Sequence, residues 1–538
     1  MRPAGRGELD SLYFTYPQFD APPAGAPRGT DAMVLIVGAG PVGMTAALTL
    51  AKEGVRVLLV ERKGTFNDGS RAICVSRSSF HILDRIGAVD PFVENAYGWT
   101  TGRTFYRGRQ ILEFRMPDVA DDRFRPMYNL EQQYIEAFLW AAVARNPLIE
   151  TRWQTEITGV AYTTDAVALN LRDPHGEYCL SVAWVLAADG ARSAVRTLRG
   201  LRLKGENFEG RYVIADIRMR HDYPTIRRAL FDPACRPGGT VLIHRQPRDI
   251  WRIDYQLRED ESEEEAMRED TVRASVSAVL EEIGHEGPWE LEWWSVYSAN
   301  TLALDDYRDG RVFFIGDSAH VVPIFGVRGL NNGLADGHNI GWKLGRVLTG
   351  RAEPGLLDSY TPERRGATLD VFANAAKSTR FMTPPTPGWK LMRDAALSLA
   401  LTERWAGLLA NPRQMTPYTY ADSPAVAPDE GSFGPGAGPG AMLPDAVAPE
   451  GGFLSQRLGA GFTLLCFGPA VDVRHDDLTV LALDPNGAAA RRLGVPAGSA
   501  VLVRPDLHIG ARWARTPDPV AVMKTLAAIC AGKAHIHG

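Results

Sequence analysis

Apolar residues fall along the chain in short blocks separated by turn formers. Val34–Val37 is an unbroken apolar run of strand length, and Val55–Glu61 is a second, mostly apolar one. Continuous runs this short predict strands buried on both faces. Between them, Ala46, Ala47, Leu48 and Leu50 give Pro41–Glu53 the packing face of a helix. Strand, helix and strand within about 30 residues predict a βαβ unit with parallel pairing. Helices are expected at Phe80–Gly87 and Glu131–Ala144. Strands are expected through 150–190, with Trp184–Ala188 buried, and through 210–260, with turns at Gly238-Gly239 and Gln246–Asp249. Arg311–Ile315 predicts another buried strand, 329–349 a long helix and 355–410 mostly helix. The acidic run at 259–265 reads as the solvated first turn of a helix, where carboxylates suit the N-terminus.

The ends of the chain pattern differently. Residues 1–30 lack periodicity and predict an extended arm, with Tyr13, Phe14, Tyr16 and Phe19 available to pin it. Residues 421–452 are dense in Pro, Gly and Ala, the composition of a linker. Beyond it, Phe462–Phe467, Leu478–Leu483, Ala500–Val503 and a last helix at Pro519–Ala531 predict a small α/β unit.

Composition narrows the class. A chain of 538 residues allows three or four domains. With 45% hydrophobic and 23% charged residues it is globular, not disordered. Lys+Arg of 59 against Asp+Glu of 64 leaves −5, no electrostatic footprint for nucleic acid. No apolar run nears the ~20 residues of a membrane span, and no signal-peptide stretch opens the chain, so a cytoplasmic protein without a membrane partner is expected. The five cysteines lie far apart without a C-x-x-C, against a zinc site, a redox dithiol or a disulfide framework.

Three segments carry chemistry. Gly38-Ala-Gly40-Pro41-Val42-Gly43 follows a strand and opens a helix. Gly38 allows the turn, Gly40 the approach of a pyrophosphate to the helix N-terminus, and Gly43 close helix–strand packing. Glu61 closes the second strand, where an acid accepts bonds from ribose hydroxyls. This motif alone leaves FAD and NAD open. Ala188-Asp189-Gly190 turns into a helix that Ser193 can cap; by itself this is a structural turn. Gly316-Asp317 ends a buried strand, where an acid can bond the ribityl chain of a flavin. Pro323, Gly326, Gly329, Asn331, Asn332 and Gly333 then lead into a helix whose N–H groups can face a flavin edge.

In this order, Gly38–Gly43 with Glu61, Asp189–Arg196 and Gly316–Asp336 resemble the class A flavoprotein monooxygenases, the single-component aromatic hydroxylases of the para-hydroxybenzoate hydroxylase fold. Ser70-Arg71-Ala72, Gln132-x-x-Ile135-Glu136, Asn339–Leu344 and Leu357–Arg365 extend the likeness. Val501–Asp506 resembles the end of the thioredoxin-like tail of the larger phenol-hydroxylase-like members, such as 3-(3-hydroxyphenyl)propionate hydroxylase. Ser318, Val327-Arg328 and Gly337-His338 depart from the more frequent residues, and the tail lacks paired cysteines.

The resemblance implies an α/β fold: a Rossmann-like FAD-binding domain (31–210 and 301–365), an interleaved β-sheet substrate domain (211–300), a helical segment (366–420), the linker and a thioredoxin-like domain (453–538). It implies FAD held by Gly38, Gly40, Pro41, Val42, Gly43, Glu61, Arg62, Arg71, Gln132, Asp189, Gly316, Asp317, Pro323, Gly329, Leu330 and Asn331. NADH or NADPH would reduce the flavin, O2 would form a C4a-hydroperoxide, and a small phenolic substrate would be hydroxylated. A homodimer is compatible with this class. His244 on a strand-like segment is a candidate to orient or deprotonate the phenol. Tyr255, Arg252 and Asp254 on the neighbouring strand are candidates to line the pocket, while His320 is expected in a structural role beside the flavin. Arg328 either meets an acidic group on substrate or flavin, or turns outward to a surface acid. Baeyer–Villiger oxidation, pyridine-ring hydroxylation and flavin binding without turnover are the alternatives on the same platform.

Overall fold

The computed structural model describes residues 1–69, 71–258, 260–323, 326–410 and 416–534, with only the backbone of 208, 209, 299, 375 and 376. Five strands run parallel in the spatial order Val312–Phe314, Trp184–Ala187, Val34–Val37, Val57–Val60 and Ile149–Arg152. The middle three are buried along their whole length, which is why their sequences are continuously apolar. The helices Pro41–Lys52, Gln132–Val143 and Gly329–Leu348 share their core.

The first and third of these helices meet at backbone distance. Gly333, Gly337, Gly341 and Gly345 recur every fourth residue, forming one stripe along Gly329–Leu348. A Cβ at these positions would lie 2.6 Å from Val42 Cγ2, 2.8 Å from Val42 O, 2.7 Å from Thr49 Cβ and 2.5 Å from Glu53 Cβ. The bare stripe draws the long helix onto the dinucleotide-binding helix and fixes where its N-terminus points.

A second, eight-stranded sheet is mostly antiparallel and centres on the long strands Lys204–Met219 and Trp289–Ala303, followed by Ile250–Gln256, Thr240–Arg245 and Arg227–Phe231. Residues 101–115 supply its last two strands, so the sheet is interleaved with the first domain. Period-two alternation splits Ile250–Gln256 between two faces. Trp251, Ile253 and Tyr255 pack against the core of the helix Glu269–Glu282. Arg252 and Asp254 point the other way, beside His244, Asp216 and Leu242 across the register.

The C-terminal unit orders its strands Leu478–Leu483, Phe462–Phe467, Ala500–Val503 and Ile509–Trp513, the first pair parallel and the others antiparallel. The 421–452 stretch is not a free linker. Ala425, Leu443 and Ala446 lie in the cores of this unit. Ala427 N and Glu430 N donate to Gly510 O and Arg512 O at 2.8 and 2.9 Å. Its Pro and Gly keep the chain extended along a strand edge, a use of that composition that a linker reading overlooks.

The turn after Ala500–Val503 inserts a buried charge cluster into the first domain. Arg504 Nη1 and Nη2 donate to Glu363 at 2.6 and 2.9 Å, and Nη2 also to Asp506 at 2.6 Å. Lys343 Nζ and Asn339 Nδ2 donate to the same Glu363 carboxylate at 2.6 and 2.7 Å. Burial alone would raise the Glu363 carboxyl; Arg504 and Lys343 hold it well below the usual range. Lys343 is nevertheless pushed down to about 8 by burial, because it shares that carboxylate with Arg504. At the other end, Phe19 stacks on Trp153 at 4.1 Å, Phe14 meets Tyr134 edge-on at 5.0 Å, and Arg2 pairs with Asp68 and Glu292. The arm is pinned by its aromatics as expected. Among the described residues no helix is long and apolar enough to cross a membrane.

Candidate active site

At the glycine-rich turn, Gly38 has φ +104°, and a Cβ on it would come within 2.5 Å of Ala188 O. A Cβ on Gly43 would strike Gly38 O at 1.9 Å, whereas one on Gly40 would meet nothing within 4 Å. Two of the glycines therefore close the βαβ unit and the third faces open space. Gly40 is the N-cap of Pro41–Lys52, with Pro41 at its start and no side chain capping the first turn. Val42 wedges beneath Gly316 and Gly333. Glu61 is clamped beside the turn: its carboxylate accepts from Ala39 N at 2.9 Å and Lys63 N at 3.0 Å. Arg62 follows, exposed. Asp189 accepts from Val195 N at 3.1 Å, while its Oδ1 is buried without a protein partner among the described residues. Burial raises its pKa. Ser193 caps the next helix as expected, accepting from Arg196 N at 3.0 Å.

The second cluster lies at the far strand ends. Surrounding protein desolvates Asp317 and raises its pKa against the pull of His320 and Arg71. Its side chain is exposed, so a ligand can reach its carboxyl group. Arg71 presents an exposed side chain, and its carbonyl accepts from Arg252 Nη1 at 3.0 Å; Ser70 lies outside the described residues. Gln132 accepts from Ala72 N at 3.2 Å and donates to Glu136 at 2.8 Å, bracing that segment. Pro323 is buried, and Gly326 and Val327 both take positive φ, +91° and +55°. A β-branched residue in the left-handed region is strained. Gly329 opens the long helix and Leu330 packs on the first-domain core. The Asn331 side chain is saturated: Oδ1 accepts from Ser76 N at 2.8 Å and Ser79 Oγ at 2.7 Å, and Nδ2 donates to Cys74 O and Val327 O. Only the Asn331 backbone is left to meet a ligand.

Below the loop, Asp336 accepts from Gly316 N at 3.0 Å, His320 Nε2 at 2.6 Å and Arg364 Nε at 2.6 Å. Burial opposes its ionisation, but Arg364 and His320 override it and hold the carboxyl low. His320 is thus committed to a buried anion. Arg364 and Asp336 were legible only as part of a resemblance, since nothing in their spacing announces a pair 28 residues apart.

The sheet face carries a dense set of buried polar groups. Arg252 holds Asp216 with two bonds, 2.8 and 3.0 Å. Around it, His244 Nδ1, Asp254 Oδ1, Arg227 Nη1 and both amide atoms of Gln246 are buried without hydrogen-bond partners among the described residues, Asp254 Oδ1 lying 3.9 Å from Arg252 Nε. Native interiors seldom leave such groups unpaired unless a ligand or water meets them. Burial, with Arg227 and Arg252 adding to it, lowers His244 to about 3, so the ring is neutral. Burial raises Asp254 to about 7, against the pull of Arg252. His244 and Asp254 thus put a neutral ring and a carboxyl group raised to about 7 on the same face. Tyr255 lies on the opposite face, in the core against Glu269–Glu282, and does not join this group. Arg328 is buried, not turned outward, and its charge is opposed first by burial and then supported by Asp370. Arg227 was not singled out from sequence; its parity with Ala229, which faces Leu242, is the signal that marks it.

The donor set fits FAD. An uncapped helix start beside an open Gly40 suits a pyrophosphate, Glu61 a ribose, and the accessible Asp317 a polyol chain. Comparison with known proteins agrees. A family model described as FAD binding domain matches residues 31–375. The chain is 28% identical over 452 residues to a 3-(3-hydroxy-phenyl)propionate/3-hydroxycinnamic acid hydroxylase of Mycobacterium sp. (strain JLS), covering 83% of this chain and 77% of that protein. It is 29% identical over 530 residues to 6-methylpretetramide 4-monooxygenase of Streptomyces rimosus, covering 91% and 92%. The crystal structure of the flavin-dependent monooxygenase PieE with FAD and substrate superposes with a TM-score of 0.79 at 24% identity, covering 93% of this chain and 99% of that one. The cradle, the accessible Asp317 beyond the strand Val312–Phe314 and the match through residue 375 lead to one conclusion: the chain belongs to the FAD binding domain family and is a flavin-dependent monooxygenase.

Proposed function

We propose that the enzyme hydroxylates a phenolic aromatic ring, with NAD(P)H and O2 as co-substrates. The balance is ring C–H + O2 + NAD(P)H + H⁺ → ring C–OH + H2O + NAD(P)⁺. Bound FAD supplies hydride acceptance and oxygen activation. The protein's share is to hold it, exclude water and present an electron-rich ring. Gly38, Gly40, Pro41, Val42 and Gly43 cradle the pyrophosphate, Glu61 takes the ribose, Asp317 the ribityl chain, and the backbone at Gly329–Asn331 the flavin edge. Arg62, Arg71, Gln132, Asp189, Gly316 and Pro323 complete the cofactor's surroundings.

The observation that carries the substrate reading is the buried set of unpaired groups on the sheet face. Asp254, raised to about 7, is placed to take the proton of a phenol, which makes the ring a better nucleophile. Neutral His244 orients the same hydroxyl, and Arg227 and Arg328 supply positive charge for a phenolate or a carboxylated side chain. Relatives named for 3-(3-hydroxy-phenyl)propionate and for 6-methylpretetramide bracket the substrate's size. We read 453–538 as the thioredoxin-like module of the larger members, in a structural role: burial raises both of its thiols, Cys466 and Cys530.

The test is a panel running from hydroxyphenylpropionates to polycyclic phenols, scored for stimulated NAD(P)H oxidation and for products one oxygen heavier. A hit couples the two. Stimulated oxidation with only hydrogen peroxide formed, across phenols of every size, refutes phenol hydroxylation.

A further inference from the structure

Seventeen large apolar side chains are exposed among the described residues, and seven of them fall between positions 389 and 409. They lie on the helix Pro387–Leu399 and on the short helical turns Arg404–Ala410, which pack side by side. The inner sides of both segments share a core with Tyr212, Ala229 and Leu242. Leu242 stands directly across the register from Asp254, so the two segments roof the far end of the sheet face described above.

Both segments are built inside out. A surface helix ordinarily buries its apolar stripe and shows a polar one. On Pro387–Leu399 the buried side holds Arg393, Ala396 and Leu397, while Trp389, Leu391, Met392 and Leu399 face away from the protein. On Arg404–Ala410 the inversion is complete: the small residues Ala406, Gly407 and Ala410 face inward, and Trp405, Leu408 and Leu409 face outward. Gly407 fixes this orientation. A Cβ there would stand 2.6 Å from Ile111 O on the edge strand Arg109–Arg115, so the segment cannot roll over to bury its larger side chains without losing that contact.

Area and charge decide what covers this face. The seven side chains are between 38 and 73% exposed. At roughly 150–250 Å2 for a large side chain they present on the order of 600 Å2 of apolar surface. That reaches the top of the range for the largest patch on a monomer, about 300–600 Å2. It is most of the ~800 Å2 that each partner of a standard interface buries. Lys390, Arg404 and Glu403 border the patch, exposed and without an ion pair among the described residues. An anionic bilayer selects a basic excess at such a face, whereas here both signs are present and the whole chain carries −5. A patch that meets its own copy across a two-fold axis is self-complementary, and neighbouring charges of opposite sign, such as Glu403 and Arg404, suit that symmetry.

We propose that the outward face of 387–410 is the contact between two copies of this chain, centred on Leu391, Trp405 and Leu408. The second copy covers the large side chains that the inverted helices leave out. It also clamps both segments onto the sheet, which holds the roof over Leu242 and its neighbour Asp254 in place.

The test is sedimentation equilibrium of the full-length, FAD-loaded enzyme across a dilution series. The concentrated end should give twice the 58.9 kDa of one chain. Leu391→Asp combined with Leu408→Asp should raise the dimer dissociation constant by about a hundredfold or more, the scale of two interface hot spots, with flavin content unchanged. Met392→Ser with Leu409→Ser serves if the aspartates lower flavin content. Hydrogen–deuterium exchange on either side of the dissociation constant locates the contact: amides of 387–410 should exchange more slowly in the dimer. Flotation with vesicles of phosphatidylcholine and phosphatidylserine is the control for a lipid surface. A monomer at every concentration, or a dimer that the variants leave intact, overturns the proposal. A monomer that floats with the vesicles, and ceases to in the variants, overturns it in favour of lipid. Each of these outcomes leaves the hydroxylation reading standing, since the substrate panel tests that separately.

Discussion

Replacing Glu363 by Gln tests whether the C-terminal turn is structural to the flavin domain. The carboxylate is fully buried and accepts from Arg504, Lys343, Asn339 and Ser423. Glutamine keeps the shape but turns part of that acceptor into a donor and leaves Lys343 as a buried cation without its anion. Breaking a buried ion pair on one side costs about 3–5 kcal/mol. Unfolding entropy of about 2.1 cal/mol/K per residue gives on the order of 1 kcal/mol/K for the 538 residues, so Tm should fall by about 3–5 °C. Differential scanning calorimetry of the FAD-loaded protein at pH 7 reads this directly. The pH dependence has a sign. Glu363 is held below its unfolded value, so its contribution is complete above about pH 4.5 and fades as pH falls further. The gap between wild type and variant should therefore narrow below pH 4.5, and narrow again as pH rises toward 8, because losing Glu363 lowers the Lys343 ammonium, already held to about 8, further and lets it deprotonate. Lys343→Met on top of Glu363→Gln should recover part of the loss, because it removes the stranded cation. A single variant within 1 °C of wild type, or a double variant that is simply additive, would refute the reasoning.

Three further outcomes are expected. Glu61→Gln should weaken FAD binding by about 1.5–3 kcal/mol, the range for a hydrogen bond to a charged group, read by flavin fluorescence on titration; an unchanged dissociation constant removes Glu61 from the ribose site. Gly337→Ala should lower Tm, because the new Cβ would stand 2.8 Å from Val42 O; helix propensity alone predicts a gain of about 1 kcal/mol, so the sign decides. Asp254→Asn should lower kcat for the phenol identified by the panel by roughly 10²-fold or more and remove a rise through pH 7, the side on which Asp254 becomes a base. Rates that keep the wild-type profile would return that role to another group.

The parallel sheet was legible because its strands are continuous apolar runs between turn formers. The glycine turn was legible because sequence neighbours build it. The sheet face was harder to read. His244 and Asp254 sit on one face and Tyr255 on the other, a parity visible in sequence, yet which face was covered by a helix depended on the packing of Glu269–Glu282. The 421–452 segment misled because Pro and Gly favour both open linkers and extended edges, and only Ala425, Leu443 and Ala446 in the core tell them apart. The bonds of Asn331 join segments about 255 residues apart in sequence, beyond any periodicity.

The Arg504–Glu363 contact also sets a schedule for the nascent chain. The two residues are 141 positions apart. At about 5–20 residues per second, the ribosome exposes Glu363 and Lys343 roughly 7–30 s before Arg504 is made. Through that interval the flavin domain holds an acid and a lysine short of their guanidinium partner. Its packing can close only after the last strands have emerged, so synthesis from the N-terminus does not deliver finished domains in order. Slowing translation after residue 363 should lengthen the exposure of this half-built interface to chaperones and proteases, while a pause earlier in the chain should not.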